Sequence, residues 1–168
     1  MTVKAGDRLP EGKLLESNEF DPANGCPMPP HPVDVAESTK GKKVVIFGLP
    51  GAYTPTCSAK HVPGYVANFD KLKAKGVDEI WCLSVNDAYV MAAWGRDEKV
   101  DGKVRMMADG SAEYTKKLGL ENDLTARGMG IRAQRFAMIV EDGVVKDIAV
   151  EAPGKFEVSS AEAVLARL

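Results

Sequence analysis

From residue 44 onward, apolar positions alternate between short unbroken runs and stretches in which they recur every three or four residues. Val44 to Leu49 is an unbroken run rich in β-branched side chains, the pattern of a strand buried on both faces. In Ser58 to Lys75 the apolar residues Val62, Tyr65, Val66, Phe69 and Leu72 fall at helical spacing, and Gly76 ends the segment. Pro63 lies inside it and predicts a kink or split near His61 to Gly64. A strand is expected over Glu79 to Val85, then a helix capped by Asn86 or Asp87 and running to about Asp97. Lys103 to Met107 predicts a third strand, and Ser111 to Leu118 a shorter helix.

Two further strands, Arg135 to Val140 and Val144 to Val150, surround Glu141-Asp142-Gly143, where Asp-Gly signals a hairpin turn. Ser159 and Glu162 stand in capping-box spacing and predict a closing helix to Leu168. Parallel strands joined by helices, then an antiparallel hairpin and a last helix, is the order of an α/β sandwich of thioredoxin-like type, a central mixed sheet flanked by helices. Residues 1 to 43 are turn-rich. The Pro-rich stretch Asp21 to Pro32 reads as a surface loop between two short strands, with a docking motif as the alternative. No internal repeat marks a second domain, so residues 1–168 are expected to form one.

The 168 residues are 45% hydrophobic and 27% charged with a net charge of −2, which argues against a nucleic-acid surface. No run approaches a membrane span, and the amino end lacks an apolar or Arg-rich leader pattern, so a soluble, cytoplasmic protein is expected. Three cysteines, Cys26, Cys57 and Cys82, are an odd number without regular spacing. They suit a reducing compartment better than a disulfide framework, and with two histidines they give no zinc spacing.

Of the three, Cys57 has the most informative address, in Pro50-Gly51-Ala52-Tyr53-Thr54-Pro55-Thr56-Cys57, after a strand and at the start of a helix. Free backbone N–H groups and the positive end of the helix dipole favour a thiolate there. Thr54 can turn its hydroxyl toward the sulfur or toward a bound substrate, while Pro50 and Pro55 stiffen the loop and shield it from water. A nearby arginine would favour the thiolate further. His61, four residues on, shares the helix face and reads as a hydrogen-bonding side chain beside the pocket. Tyr53 and Trp94 are candidates for an apolar collar or a dimer contact, with core packing as the alternative for Trp94.

The segment Phe47 to Ser58, followed by His61-Val62-Pro63-Gly64-Tyr65, closely resembles the active-site region of the peroxiredoxins, specifically the peroxiredoxin-5-type subfamily. The likeness continues through Leu83 to Met91, Met106 to Ser111 and Arg135 to Gly143. It implies a thioredoxin-like fold and a homodimer. It also implies a peroxidase in which Cys57 is the peroxidatic nucleophile, Thr54 and Pro50 shape the peroxide pocket, and Arg135 is the activating arginine. Arg132 is a competing arginine, expected in the loop before the strand. The implied cycle takes Cys57 to a sulfenic acid, with hydrogen peroxide or an alkyl hydroperoxide as oxidant, and then requires a second thiol.

Which thiol that is depends on the other cysteines. Cys82 lies 25 residues after Cys57, a spacing similar to that of glutaredoxin-linked plant and bacterial members, but a cysteine in an apolar strand is usually inert packing. Animal-type members carry a resolving cysteine near the carboxyl end; Glu151 to Leu168 has none. Recycling by glutathione and glutaredoxin is therefore expected, with a Cys57–Cys82 disulfide reduced by thioredoxin as the alternative and Cys26 as a bystander. No resident cofactor is implied beyond that external reductant. A dithiol oxidoreductase is disfavoured because Lys60 stands where Cys-x-x-Cys would need its second thiol. A redox sensor in which Cys57 oxidation only signals stays open.

Overall fold

A computed structural model describes all 168 residues. Its frame is set by Lys43–Gly48 (β3), in which Val45 and Phe47 point into one apolar core while Val44 and Ile46 point into another across the sheet. Successive side chains of a strand alternate faces, so an unbroken apolar run must be covered on both sides. Seven strands form the sheet. They are Lys13–Glu16 (β1), His31–Asp34 (β2), β3, Glu79–Ser84 (β4), Arg105–Ala108 (β5), Phe136–Glu141 (β8) and Val144–Val150 (β9), in the order β2-β1-β5-β4-β3-β8-β9. β3, β4 and β5 pair in parallel; β8 joins β3 antiparallel, and β9 joins β8 in the same sense. Mixed pairing with helices on both faces is the thioredoxin-like architecture read from the sequence.

One face is covered by Val62–Ala67 (α2), Phe69–Ala74 (α3), Ala88–Asp97 (α4) and Ala161–Leu165 (α6), which contribute Val62, Tyr65, Leu72, Met91, Trp94 and Val164 to its core. Val35–Thr39 (α1) and Glu113–Leu118 (α5) cover the other with Val35, Tyr114 and Leu118. Trp94 is fully buried, so core packing describes it, whereas Tyr53 stays exposed and donates to Asp97 at 2.7 Å.

The largest departure from the sequence pattern lies in the helix expected over Ser58 to Lys75. Helical backbone already starts at Pro55, so Cys57 sits in its first turn. Cys57–His61 then widens into a π-helical turn in which the Val62 N–H reaches the Cys57 carbonyl. Pro63 has no N–H to donate, and its ring crowds the carbonyl four residues back; a wider turn just before it relieves that crowding. A second break falls at Asn68, later than expected, where the side chain donates to Gly64 O at 2.8 Å and to Glu162 Oε1 at 3.2 Å.

Other differences are local. Asp87, not Asn86, caps α4 through the Val90 N–H. The third strand begins two residues later than expected, at Arg105. α5 starts at Glu113, after Ala112 has taken a left-handed φ of 60°, with Asp109 accepting from the Tyr114 and Thr115 N–H groups. Ser160, rather than Ser159, caps α6, which stops at Leu165. At the hairpin, Asp142 and Gly143 both have positive φ, as a two-residue Asp-Gly turn of the primed kind requires.

The sequence pattern did not announce α1 or the two-stranded ribbon of Glu121–Leu124 (β6) and Gly130–Ala133 (β7). Only Ala133 of that ribbon is buried, so it carries no apolar alternation to find. Arg132 consequently lies on a strand and not in the loop expected for it. The Pro-rich segment does connect the short pair β1 and β2, and Pro32 fits β2 because that strand is at the sheet edge.

Candidate active site

The carboxyl end of β3 and the amino end of β8 meet because the two strands are antiparallel and pair Gly48 with Phe136. That register places Leu49 to Cys57 beside Arg135. Gly48 is required at this crossing, since a Cβ there would enter the Phe136 ring. The chain then leaves the sheet through a loop tied down at several points. Asn86, just beyond β4, accepts from the Ala52 N–H at 2.9 Å and from Ser84 Oγ at 2.6 Å. Thr54 Oγ1 donates to Gly51 O at 2.8 Å, so its proton is engaged within the loop and not on Cys57. Arg132 Nη1 donates to Pro50 O at 3.1 Å, packed over Gly51, where a β-carbon would displace it. Tyr53 holds a left-handed φ of 63°, a strained setting for a bulky residue and one typical of functional loops.

Cys57 ends up with no solvent exposure, and its sulfur accepts from Arg135 Nη2 at 3.2 Å. The other arm of that guanidinium, Nη1, donates to His61 Nδ1 at 2.8 Å. His61 is itself fully buried, and its Nε2–H donates to Ser159 O at 3.0 Å. Burial first, and the adjacent Arg135 charge second, push the imidazole down to about 3, so the ring is neutral and Nδ1 offers a lone pair. Phe156 lies edge-on to His61 at 5.0 Å between ring centres and under Arg135 at 5.8 Å. Phe47 stacks on Tyr65 at 4.0 Å, and the Tyr65 hydroxyl also donates to Ser159 O, at 2.7 Å.

Of the residues singled out by sequence for the pocket, Cys57, His61 and Arg135 are brought together directly, while Pro50 and Thr54 lie on the loop leading into Cys57. Of the two arginines, Arg135 reaches the sulfur and Arg132 braces the loop. Cys82 lies on the β4 face that enters the same core as Cys57 but is fully buried. Burial above all, with the neighbouring Cys57 sulfur adding to it, pushes its thiol well above the ordinary range. Cys26 is exposed, and all three cysteines are unpaired. Asn86, Glu151 and Ser159 belong to the surroundings of the site and escaped the sequence reading as such. Only Asn86 gave a signal, as a polar residue at a strand end. No group of three or more His, Cys, Asp or Glu side chains is disposed to hold a metal ion, and no helix is long and apolar enough to cross a membrane.

A buried thiol under a guanidinium, at the first helical turn of a thioredoxin-like sheet, defines a thiol-based redox protein. The chain matches the Redoxin family model over residues 4–165. Peroxiredoxin-2B of Arabidopsis thaliana is 46% identical over 166 residues, covering 99% of this chain and 98% of the relative. Among solved structures, reduced Prx3 from Vibrio vulnificus in complex with hydrogen peroxide superposes with a TM-score of 0.87 at 48% identity, covering 99% of each chain. A Burkholderia cenocepacia chain whose description names a thioredoxin reductase superposes at 0.93 with 60% identity, covering 100% of this chain and 99% of that one. The chain belongs to the Redoxin family, and within it to the peroxiredoxins of the peroxiredoxin-5-type subfamily. It is a thiol peroxidase, an oxidoreductase.

Proposed function

We propose that Cys57 is the peroxidatic nucleophile of this peroxidase, with Arg135 as its activating partner and Pro50 and Thr54 shaping the peroxide pocket. The observation that carries this is the 3.2 Å contact between Arg135 Nη2 and Cys57 Sγ inside a buried pocket. A fixed cation beside the sulfur favours its anion, and the same N–H groups can follow negative charge onto the leaving oxygen. The Cys57 thiolate attacks the terminal peroxide oxygen, forming an S–O bond as the O–O bond breaks. The electron pair leaves on the second oxygen, which takes a proton and departs as water or an alcohol. Cys57 is thereby oxidised by two electrons to the sulfenic acid.

For the return half-cycle the proposed reductant is glutathione with glutaredoxin. A glutathione thiol would attack the sulfenic sulfur, expelling water and forming a mixed disulfide that a second thiol then reduces. Support comes from Cys82, which is buried and held as a thiol, and from the lack of any cysteine between Glu151 and Leu168. Dithiol reductase chemistry does not suit this site, since Cys57 has Lys60 where a dithiol site would need its second cysteine. A cytoplasmic location and a homodimer belong to the same reading. The dimer is supported by Tyr53 and Tyr89, large side chains exposed on the loop before Cys57 and on α4.

Stopped-flow oxidation of the reduced protein by hydrogen peroxide tests the first half: a rate no faster than that of a free thiol removes the assignment of Cys57. Steady-state turnover with glutathione and glutaredoxin against thioredoxin and its reductase tests the second, with Cys26→Ser and Cys82→Ser beside the parent. Mass spectrometry that finds a Cys57–Cys82 disulfide as the main oxidised product overturns the glutathione scheme.

A further inference from the structure

Glu151, just beyond β9, is almost completely buried and has no cationic partner within ion-pair distance. Its carboxylate is satisfied by one short stretch of chain. It accepts from the N–H groups of Glu157 at 2.8 and 2.9 Å, of Val158 at 2.8 Å and of Ser159 at 2.8 Å, and from Ser159 Oγ at 2.7 Å. Burial opposes the carboxylate form, but these donors outweigh it and hold the group below its ordinary range.

The consequence is the placement of the Ser159 carbonyl. Fixed by that wrap, it faces inward and accepts from both Tyr65 and His61. A carbonyl can only accept, so His61 must carry its proton on Nε2 and leave Nδ1 bare. Bare Nδ1 is what allows the ring to accept from Arg135 Nη1 while Nη2 lies on Cys57. Phe156, immediately before that stretch, lies under Arg135 and against His61. Glu151 is also tied to Arg135 through the backbone, its N–H donating to the Arg135 carbonyl at 2.9 Å.

We propose that Glu151 is a positioning residue for the peroxidatic site: acting through the Ser159 carbonyl and the His61 ring, its carboxylate fixes the Arg135 guanidinium on Cys57. This rests on the reading of Cys57 as the peroxidatic thiol. Glutamine at 151 keeps the shape but removes the charge that draws these donors, and with its oxygen in the place of Oε2 its amide nitrogen would face the Glu157 N–H. The stretch keeps another anchor, since Arg167 Nη1 donates to Val158 O at 2.9 Å, so the fold is expected to survive the change.

The test is a double-mutant cycle of Glu151→Gln and Arg135→Ala, read by stopped-flow oxidation with hydrogen peroxide and by the pH profile of Cys57 alkylation with iodoacetamide. Glu151→Gln alone is expected to slow oxidation about tenfold and to move the alkylation profile toward alkaline pH. In the Arg135→Ala background it is expected to slow oxidation less than about twofold. An unchanged rate in Glu151→Gln, or the same tenfold loss without Arg135, overturns the proposal. If Glu151→Gln does not fold, Ser159→Ala removes one of the donors and carries the test. A loss of about threefold that vanishes without Arg135 supports the proposal, and no loss or an Arg135-independent loss overturns it. A parent protein that reacts no faster than free cysteine removes the reading of Cys57 itself, a result distinct from a fast parent matched by a fast Glu151→Gln.

Discussion

Arg135 and His61 are joined at 2.8 Å by a bond from a charged donor to a neutral ring, and that bond leaves the second arm of the guanidinium on Cys57. A guanidinium held at both arms has lost its rotamer freedom before any peroxide arrives. Removing it should therefore cost more than the charge alone. Arg135→Ala is expected to slow peroxide oxidation of Cys57 by about 100-fold or more, in line with loss of a donor to developing charge. Arg135→Lys should recover little of this, because an ammonium cannot span His61 and the sulfur together. Stopped-flow rates of the two variants check both expectations, and equal rates for the parent and Arg135→Lys would count against the two-armed role.

Arg132 should behave differently. It holds Pro50 O and touches neither Cys57 nor His61, so Arg132→Ala is expected to lower the oxidation rate by less than about tenfold through loosening of the loop. Gly51→Ala should give a similar loss, because a β-carbon at 51 displaces the same guanidinium. Combined with Arg132→Ala, Gly51→Ala is expected to add little. Rates of the two single variants and the double decide it.

His61 predicts an acid-side loss of stability. The folded ring stays neutral down to about 3, whereas the unfolded ring takes a proton near 6.5. Between those values the unfolded chain binds more protons, so stability falls as pH falls, by about 1.4 kcal/mol per unit once below the unfolded value. Glu79 is held down at about 2: burial opposes this, but bonds from Lys42, Trp81 and Arg105 prevail. Glu79 and Glu151, also held low, lose their contribution only below the unfolded carboxylate range, about 4.3. Urea unfolding between pH 6 and pH 5 therefore reads the histidine, with Glu98, whose carboxyl burial holds above the ordinary range, acting in the opposite sense. His61→Leu is expected to flatten that slope, and a slope equal to the parent's would rule His61 out as its source.

Cys82 separates packing from redox chemistry. Replacing the buried thiol by a hydroxyl places a stronger polar group in an apolar core, so Cys82→Ser is expected to cost about 1–2 kcal/mol. Its oxidation rate with peroxide and its turnover with glutathione and glutaredoxin should match the parent. Chemical denaturation and turnover measured on one preparation would show whether the thiol serves more than packing.

Gly48→Ala tests the strand crossing that builds the site. The added carbon would overlap the Phe136 ring, which is fully buried and cannot swing into solvent. Overpacking of this kind costs about 1–3 kcal/mol. Pairing it with Phe136→Leu should recover part of the loss, as read by the urea midpoint.

The sequence by itself determined the strands that can be buried only on both faces, Val44 to Leu49 above all, and the placement of Cys57 between such a strand and a helix. It also favoured Arg135 over Arg132, through resemblance rather than spacing. These features are legible because burial and helix polarity act locally on consecutive residues. Tertiary structure alone decided the rest. Pro63 is absorbed by a π-helical turn, Ser159 turns its hydroxyl to Glu151 while Ser160 takes the cap, and the pair joins the site through His61, a partner distant in sequence. Ser159 reaches His61 98 residues away, and Arg135 reaches Cys57 78 residues away. No local pattern records such pairs, because the strand register that brings them together, Gly48 opposite Phe136, exists only once the sheet has formed.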